Sequence, residues 1–441
     1  MATNFSPKQT NSLFRIVLFL SCISISSAGL SQSFNFSTLT LSEALSEAAK
    51  LNKIVFIQLE NECTQCNGIA EKGLSGAGVK EIYEKFICIK IGFNTDDYKK
   101  TIKTYRFYQR NPSSLFVDSS GTYLASLNNY STTNANEYIK LAAKAMVNKD
   151  NPPHKALTEA IAQDKYDKEQ LRQFITLLIS ENFNTDDLTE RYYKNLTLAE
   201  LEKDSEIDFL IRTSPLIGSR LYKLIWDDSK RFHKIFDSIP IMDRIKINNM
   251  IIERSKEKAI NEKNLNYMWS VCNYIRNTYG NKYQEGNRAH TMALLDYYKG
   301  VKDVEQYVNH AKIFFDTNFN KTNMDSISKA ELNQTIKRAD GAIMKGGKLY
   351  KTGNQLNEIA FSIYQMTDDK EYLGFALKLS EKTLIYKYPD YIDTYAQILY
   401  RIGGKKEAIE MQQKAVNISD SLHRFNPELK KTLSEMQNDT L

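Results

Sequence analysis

The hydrophobic pattern of this chain changes period near residue 150. Before it, short apolar runs alternate with amphipathic stretches; after it, only the helical period persists. Residues 40–51 read as a helix, because Thr40 and Glu43 stand at capping-box spacing and Leu41, Ala44, Leu45 and Ala48 share one face. The apolar run at 54–59, interrupted by Gln58 alone, predicts a buried strand. Helix follows Cys66, breaks at the glycines of 73–78 and resumes over 79–85. A second buried strand is expected at 86–91 and a short helix at 98–105. Strands at 115–117 and 123–125 flank the turn Asp118-Ser119-Ser120-Gly121, and a helix over 134–147 closes the unit. Strands alternating with helices, then a hairpin and a helix, argue for an α/β layer fold over 34–148.

Residues 148–153, Asn-Lys-Asp-Asn-Pro-Pro, read as a linker centred on 149–153. Beyond it, 154–441 read as helix after helix, an all-α domain. Its clearest periodicity lies at 356–420. From Ala376 to Ala408 is 32 residues and from Ala360 to Ala396 is 36, bracketing a 34-residue helical-hairpin repeat. Turns are expected at Thr367-Asp368-Asp369 and Gly403-Gly404-Lys405. A looser unit covers 290–315 with its turn at 300–303. The lysine-rich stretch 345–351 reads as a solvated loop.

Composition narrows the picture. At 441 residues there is room for more than one core. The formal charge of +6 includes Lys8 and Arg15, which precede every acidic residue; without those two it is +4. So mild an excess, with no basic-aromatic stripe, excludes a case for nucleic-acid binding. Residues 1–33 look like a secretory signal: a basic start, an apolar segment over 16–25, and small residues at 26–31. A lipid-modified Cys22 and an uncleaved anchor are the alternatives. The expected location is outside the cytoplasm, periplasmic or extracellular, with no membrane span after cleavage.

Cys63-Thr64-Gln65-Cys66 follows the 54–59 strand and opens the next helix. A helix N-terminus stabilises a thiolate, and a second cysteine three residues on can resolve a mixed disulfide. An inert structural disulfide fits the same spacing. Metal binding is disfavoured, because no histidine lies between 34 and 148 and no second such pair exists. Asn67 excludes haem attachment at this motif. Cys88 and Cys272 read as buried core thiols. His154, His233, His290, His310 and His423 are scattered, with no pair at metal-ligand spacing. Tyr297, Tyr298, Tyr307, Phe314 and Phe315 read as core. Nucleotide, serine-hydrolase and zinc-protease motifs are absent, and neither cofactor nor metal is expected.

These residues give 34–148 a resemblance to the thioredoxin superfamily, in particular its secreted members. The carriers are the C-x-x-C after the first long strand, Pro112 where the family has its cis-proline, and the hairpin turn at 118–121. The resemblance implies an attacking Cys63, a resolving Cys66, and a substrate groove shaped by Pro112 and Asn111. It also implies exchange with protein thiols and disulfides. Three positions depart from the family: Glu62 replaces a common tryptophan, Ile57 replaces a buried acid, and Thr64-Gln65 replaces the commonest Gly-Pro. The C-terminal helices resemble tetratricopeptide repeats, which implies a surface for a peptide or protein partner. If the disulfide is permanent, the chain is a non-catalytic binding scaffold instead.

Overall fold

The computed structural model describes residues 34–441, apart from 62–63, 108–112, 128–131, 153–154, 156–158, 160–162, 164, 182, 321, 338–342, 346–349 and 423–425; for 64–65, 335–337 and 343–345 it describes the backbone alone.

The Thr40 hydroxyl and the Glu43 carboxylate form the reciprocal capping box that starts α1 (Leu41–Leu51). There follow β1 (Val55–Leu59), α2 (Thr64–Leu74), α3 (Val79–Tyr83), β2 (Ile87–Ile91), α4 (Asp96–Thr104), β3 (Ser113–Val117), β4 (Tyr123–Leu127) and α5 (Ala135–Asn148). The four strands make a mixed sheet in the order β2-β1-β3-β4, with β1 and β2 parallel and the other pairs antiparallel. The β3–β4 turn is fixed by the Asp118 carboxylate, which accepts from the Ser120 and Thr122 amides at 2.8 Å, and by Gly121 at φ +82°.

Strand alternation divides the core into two layers. Val55, Ile57, Leu59, Ile89, Leu115 and Val117 face α1 and α4. Phe56, Cys88 and Phe116 face the other way, onto Tyr83, Leu74 and Tyr138 from α3, α2 and α5. Both faces are covered, which is why β1 and β2 read as largely apolar runs.

Helices dominate the remainder: α6 (Lys168–Ser180), α7 (Asp186–Lys194), α8 (Leu198–Leu201), α9 (Asp204–Arg212), α10 (Arg220–Asp227), α11 (Ser229–Ser238), α12 (Ile241–Asn261), α13 (Leu265–Asn277), α14 (Tyr283–Gly300), α15 (Val304–Asn318), α16 (Met324–Leu332), α17 (Lys351–Met366), α18 (Lys370–Glu381), α19 (Pro389–Arg401), α20 (Lys405–Ser421) and α21 (Pro427–Gln437). Consecutive helices pack in pairs, α14 on α15, α17 on α18, α19 on α20. The small residues at the repeat positions, Ala360, Ala376, Ala396 and Ala408, are fully buried and let helices approach. The tyrosines and phenylalanines expected as core are buried.

Two expectations need correction. The C-terminal part is not all helix: β5 (Thr335–Lys337) and β6 (Ile343–Lys345) pair antiparallel. The stretch 345–351 is not simply a loop either, since Lys345 ends β6 and Lys351 begins α17. Local composition hid this, because lysine-flanked three-residue strands carry too few apolar positions to show a period.

The two regions share one continuous core, running from the sheet through Phe107 to Leu171, Phe174 and Phe183. Phe107 stacks on Phe183 at 5.2 Å, and Arg106 grips Asp187 with two hydrogen bonds of 2.6 and 3.1 Å. The Asn184 amide donates to the Arg106 carbonyl at 2.7 Å.

A partly buried carboxylate ties the last helices together. Asp393 of α19 accepts from Gln412 of α20 at 2.6 Å and from Gln397 at 2.7 Å. Burial pushes its carboxyl up to about 6, against these hydrogen bonds and with help from Asp390 and Glu428. The folded pKa therefore exceeds the unfolded one, so the folded state holds the proton longer. Its contribution is fully present below about pH 4 and is lost as pH rises through about 6, on the order of 2 kcal/mol. Asp393→Asn has no such proton. Urea midpoints from pH 4 to 7 should show the variant gaining on wild type; parallel profiles would contradict this.

Candidate functional site

The register gathers the candidate site at one edge of the sheet. Leu59 at the end of β1 pairs with Ile91 at the end of β2 and with Ser113 at the start of β3. The β1–α2 turn, the loop after β2 and the chain entering β3 therefore meet at this edge. The sheet makes this arrangement by pairing β1 parallel to one neighbour and antiparallel to the other.

Of the residues expected to carry chemistry, Cys66 is described. It sits half-buried in the first turn of α2 and is disulfide-bonded. Cys63, Asn111 and Pro112 lie outside the described residues. Ser113, the residue after Pro112, is buried against Leu59. No acidic side chain occupies the first turn of α2. Glu62, the acid that directly precedes Cys63, lies outside the described residues.

Three features at this edge escaped the sequence reading. The first is a carboxamide clamp: Asn67 accepts from the Asn61 amide at 3.1 Å and donates to the Asn61 carbonyl at 2.9 Å. It closes the turn that carries the motif, tying the first helical turn back to the end of β1. The second is Lys90, which reaches Glu60 at 3.1 Å and Glu71 at 3.3 Å, joining β2, β1 and α2. Burial pulls the Lys90 pKa down, yet the two carboxylates outweigh it and hold it above its usual value. The third is a buried cross-strand pair, the Ser114 hydroxyl donating to Gln58 at 2.7 Å. The six-residue spacing of Asn61 and Asn67 about the motif was the one available signal; the others join residues far apart in sequence.

Ile57 is fully buried among apolar side chains. It offers no proton acceptor beneath the turn.

The other two cysteines among the described residues are inert by position. Cys88 lies in the core and Cys272 is wholly buried; burial pushes each thiol up to about 12, so neither is a thiolate near neutrality. His233, His290 and His310 belong to no cluster of metal-binding side chains among the described residues. His154 and His423 lie outside the described residues. Among the described residues no helix is long and apolar enough to cross a membrane. Neither the known protein families nor the curated proteins contain a match to this chain.

Proposed function

We propose that this chain is an exported thiol–disulfide oxidoreductase of thioredoxin-like architecture, acting on protein thiols outside the cytoplasm. The observation that carries this reading is the seat of Cys66. It is a disulfide-bonded cysteine in the first turn of a helix leaving the central strand, at the sheet edge where the chain following Pro112 also arrives. The strand order and the β3–β4 hairpin support the thioredoxin likeness, and the paired helices support the likeness to tetratricopeptide repeats.

In this reading Cys63 is the partner of Cys66. In the reducing direction the Cys63 thiolate attacks one sulfur of a substrate disulfide. An S–S bond forms, the substrate bond breaks, and one substrate thiolate leaves. Cys66 then loses its proton and attacks Cys63, releasing the second substrate thiolate and restoring the Cys63–Cys66 disulfide. The substrate gains two electrons and two protons; the enzyme is oxidised by the same amount. The oxidising direction is the reverse. Asn111 and Pro112 shape the groove, and the helices recruit the protein substrate. No cofactor or metal enters these steps.

Cys63→Ser should reduce turnover of a disulfide-containing protein, in a dithiothreitol-coupled assay, to the uncatalysed rate. Wild-type turnover in the variant would refute the assignment.

A second reading has its own observation. With Ile57 in place of an acid, the strand position six residues before Cys63 offers no carboxylate to assist proton transfer to Cys66. The pair would then be a permanent staple, and the chain a protein-binding scaffold.

A further inference from the structure

Helices α13, α14 and α15 enclose a groove of about 480 Å³, a volume typical of small-molecule sites. Gly286 allows the start of α14 to lie against the end of α13, since a β-carbon there would stand 2.8 Å from the Arg276 carbonyl. Two large apolar side chains lining this groove remain open to water, Trp269 at 39 % and Ile313 at 62 % exposure. Among the described residues no carboxylate lines it, and Arg288 is its one permanently charged residue.

Arg288 is held in place without being neutralised. The Asn318 amide group donates to the Phe314 carbonyl at 2.8 Å, which turns its oxygen toward Arg288 Nε at 3.1 Å. The guanidinium also lies over the Phe319 ring, 5.1 Å from its centre. Elsewhere the half-buried or buried arginines Arg106, Arg172 and Arg254 each face a carboxylate. Arg288 forms no ion pair among the described residues. A guanidinium braced at Nε leaves its planar fork for a second partner, and that fork matches a carboxylate.

The two histidines of the groove add hydrogen bonding without permanent charge. His310 Nδ1 lies 2.9 Å from the Gln306 carbonyl, which can only accept, so Nδ1 carries the proton. His290 is half-buried, and burial together with Arg276 holds it below its usual pKa. One fixed positive charge suits a monoanion; a dianionic phosphate would enter with a surplus charge.

We propose that this groove binds a small organic monocarboxylate, its carboxylate on the Arg288 fork and its apolar body against Trp269 and Ile313. The site is independent of the dithiol chemistry.

The test is calorimetric titration of the full chain with 3-phenylpropanoate and, in parallel, with the uncharged 3-phenylpropanamide. The acid should bind at one site and saturate, and the amide should bind at least about tenfold more weakly. Arg288→Gln should weaken the acid by about tenfold or more while leaving the amide unchanged; Trp269→Ala should weaken both. If a variant does not fold, the acid-against-amide comparison on wild type still decides. Equal binding of acid and amide, equal binding by Arg288→Gln, or no saturation by about 20 mM acid overturns the proposal.

Discussion

Cys66→Ala, exposed to an oxidised protein substrate, should accumulate as a covalent complex with it. The proposed cycle has two exchanges, and the second requires Cys66. Without that sulfur, the mixed disulfide on Cys63 has no internal nucleophile and waits for an external thiol. On a non-reducing gel, the variant should run with its partner, and reductant should release both. Cys63→Ser should form no such complex, because the attacking sulfur is gone. The difference between the two variants is all-or-none in kind. A scaffold with a permanent staple predicts a different pair of results: neither variant captures substrate, and both lose stability alike. For a bridge closing so short a loop, that loss should fall at the low end of the usual 2–4 kcal/mol. The trapped complex also identifies the partner by mass, which the surface of the helical region does not reveal.

Arg254→Leu should cost about 2–4 kcal/mol, a large fraction of the total stability of an ordinary domain. Arg254 lies on α12 and is 5 % exposed. One terminal nitrogen donates to the carbonyls of Thr213 and Ser214 at 2.9 and 2.7 Å, and the other pairs with Asp186 of α7. The turn it grips is strained: Ser214 is a non-glycine residue at φ +53°, immediately before Pro215. Such a conformation persists where surrounding contacts determine it. Leucine fills much of the volume but leaves two buried carbonyls without their donor, while the partly exposed Asp186 carboxylate returns to water. Arg254→Lys should recover only part of the loss, because a single ammonium cannot reproduce the planar fork. The urea midpoint measures both variants. A cost below about 1 kcal/mol for leucine would mean that the turn holds without the arginine.

The legible and illegible parts of this chain divide along one line. Features encoded within a few residues were readable: the Thr40–Glu43 box, the apolar strands, the Asp118 turn and the alanine spacing of the last helices. The position of the motif after β1 was readable too, because a strand and a helix announce themselves by period. Features that join distant segments were not. Arg106 and Asp187 are separated by 81 positions, and Glu331 and Tyr386, which share a buried hydrogen bond, by 55. Nothing in the sequence neighbourhood of either member points to the other. Arg254 illustrates the same limit, because an arginine on a helix reads as surface until the carbonyls it serves are known. Within the candidate site, Asn67 was visible as a residue type that excludes haem, and only the fold gave it a role as the clamp across the motif.

The central claim is that the Cys63–Cys66 pair cycles, and its reduction potential tests that most directly. The chain is equilibrated across graded thiol buffers and the redox state is read by alkylation mass shift. The account predicts a value between about −270 and −120 mV, the span of exchange catalysts. A value below about −300 mV would mark a structural disulfide and contradict it.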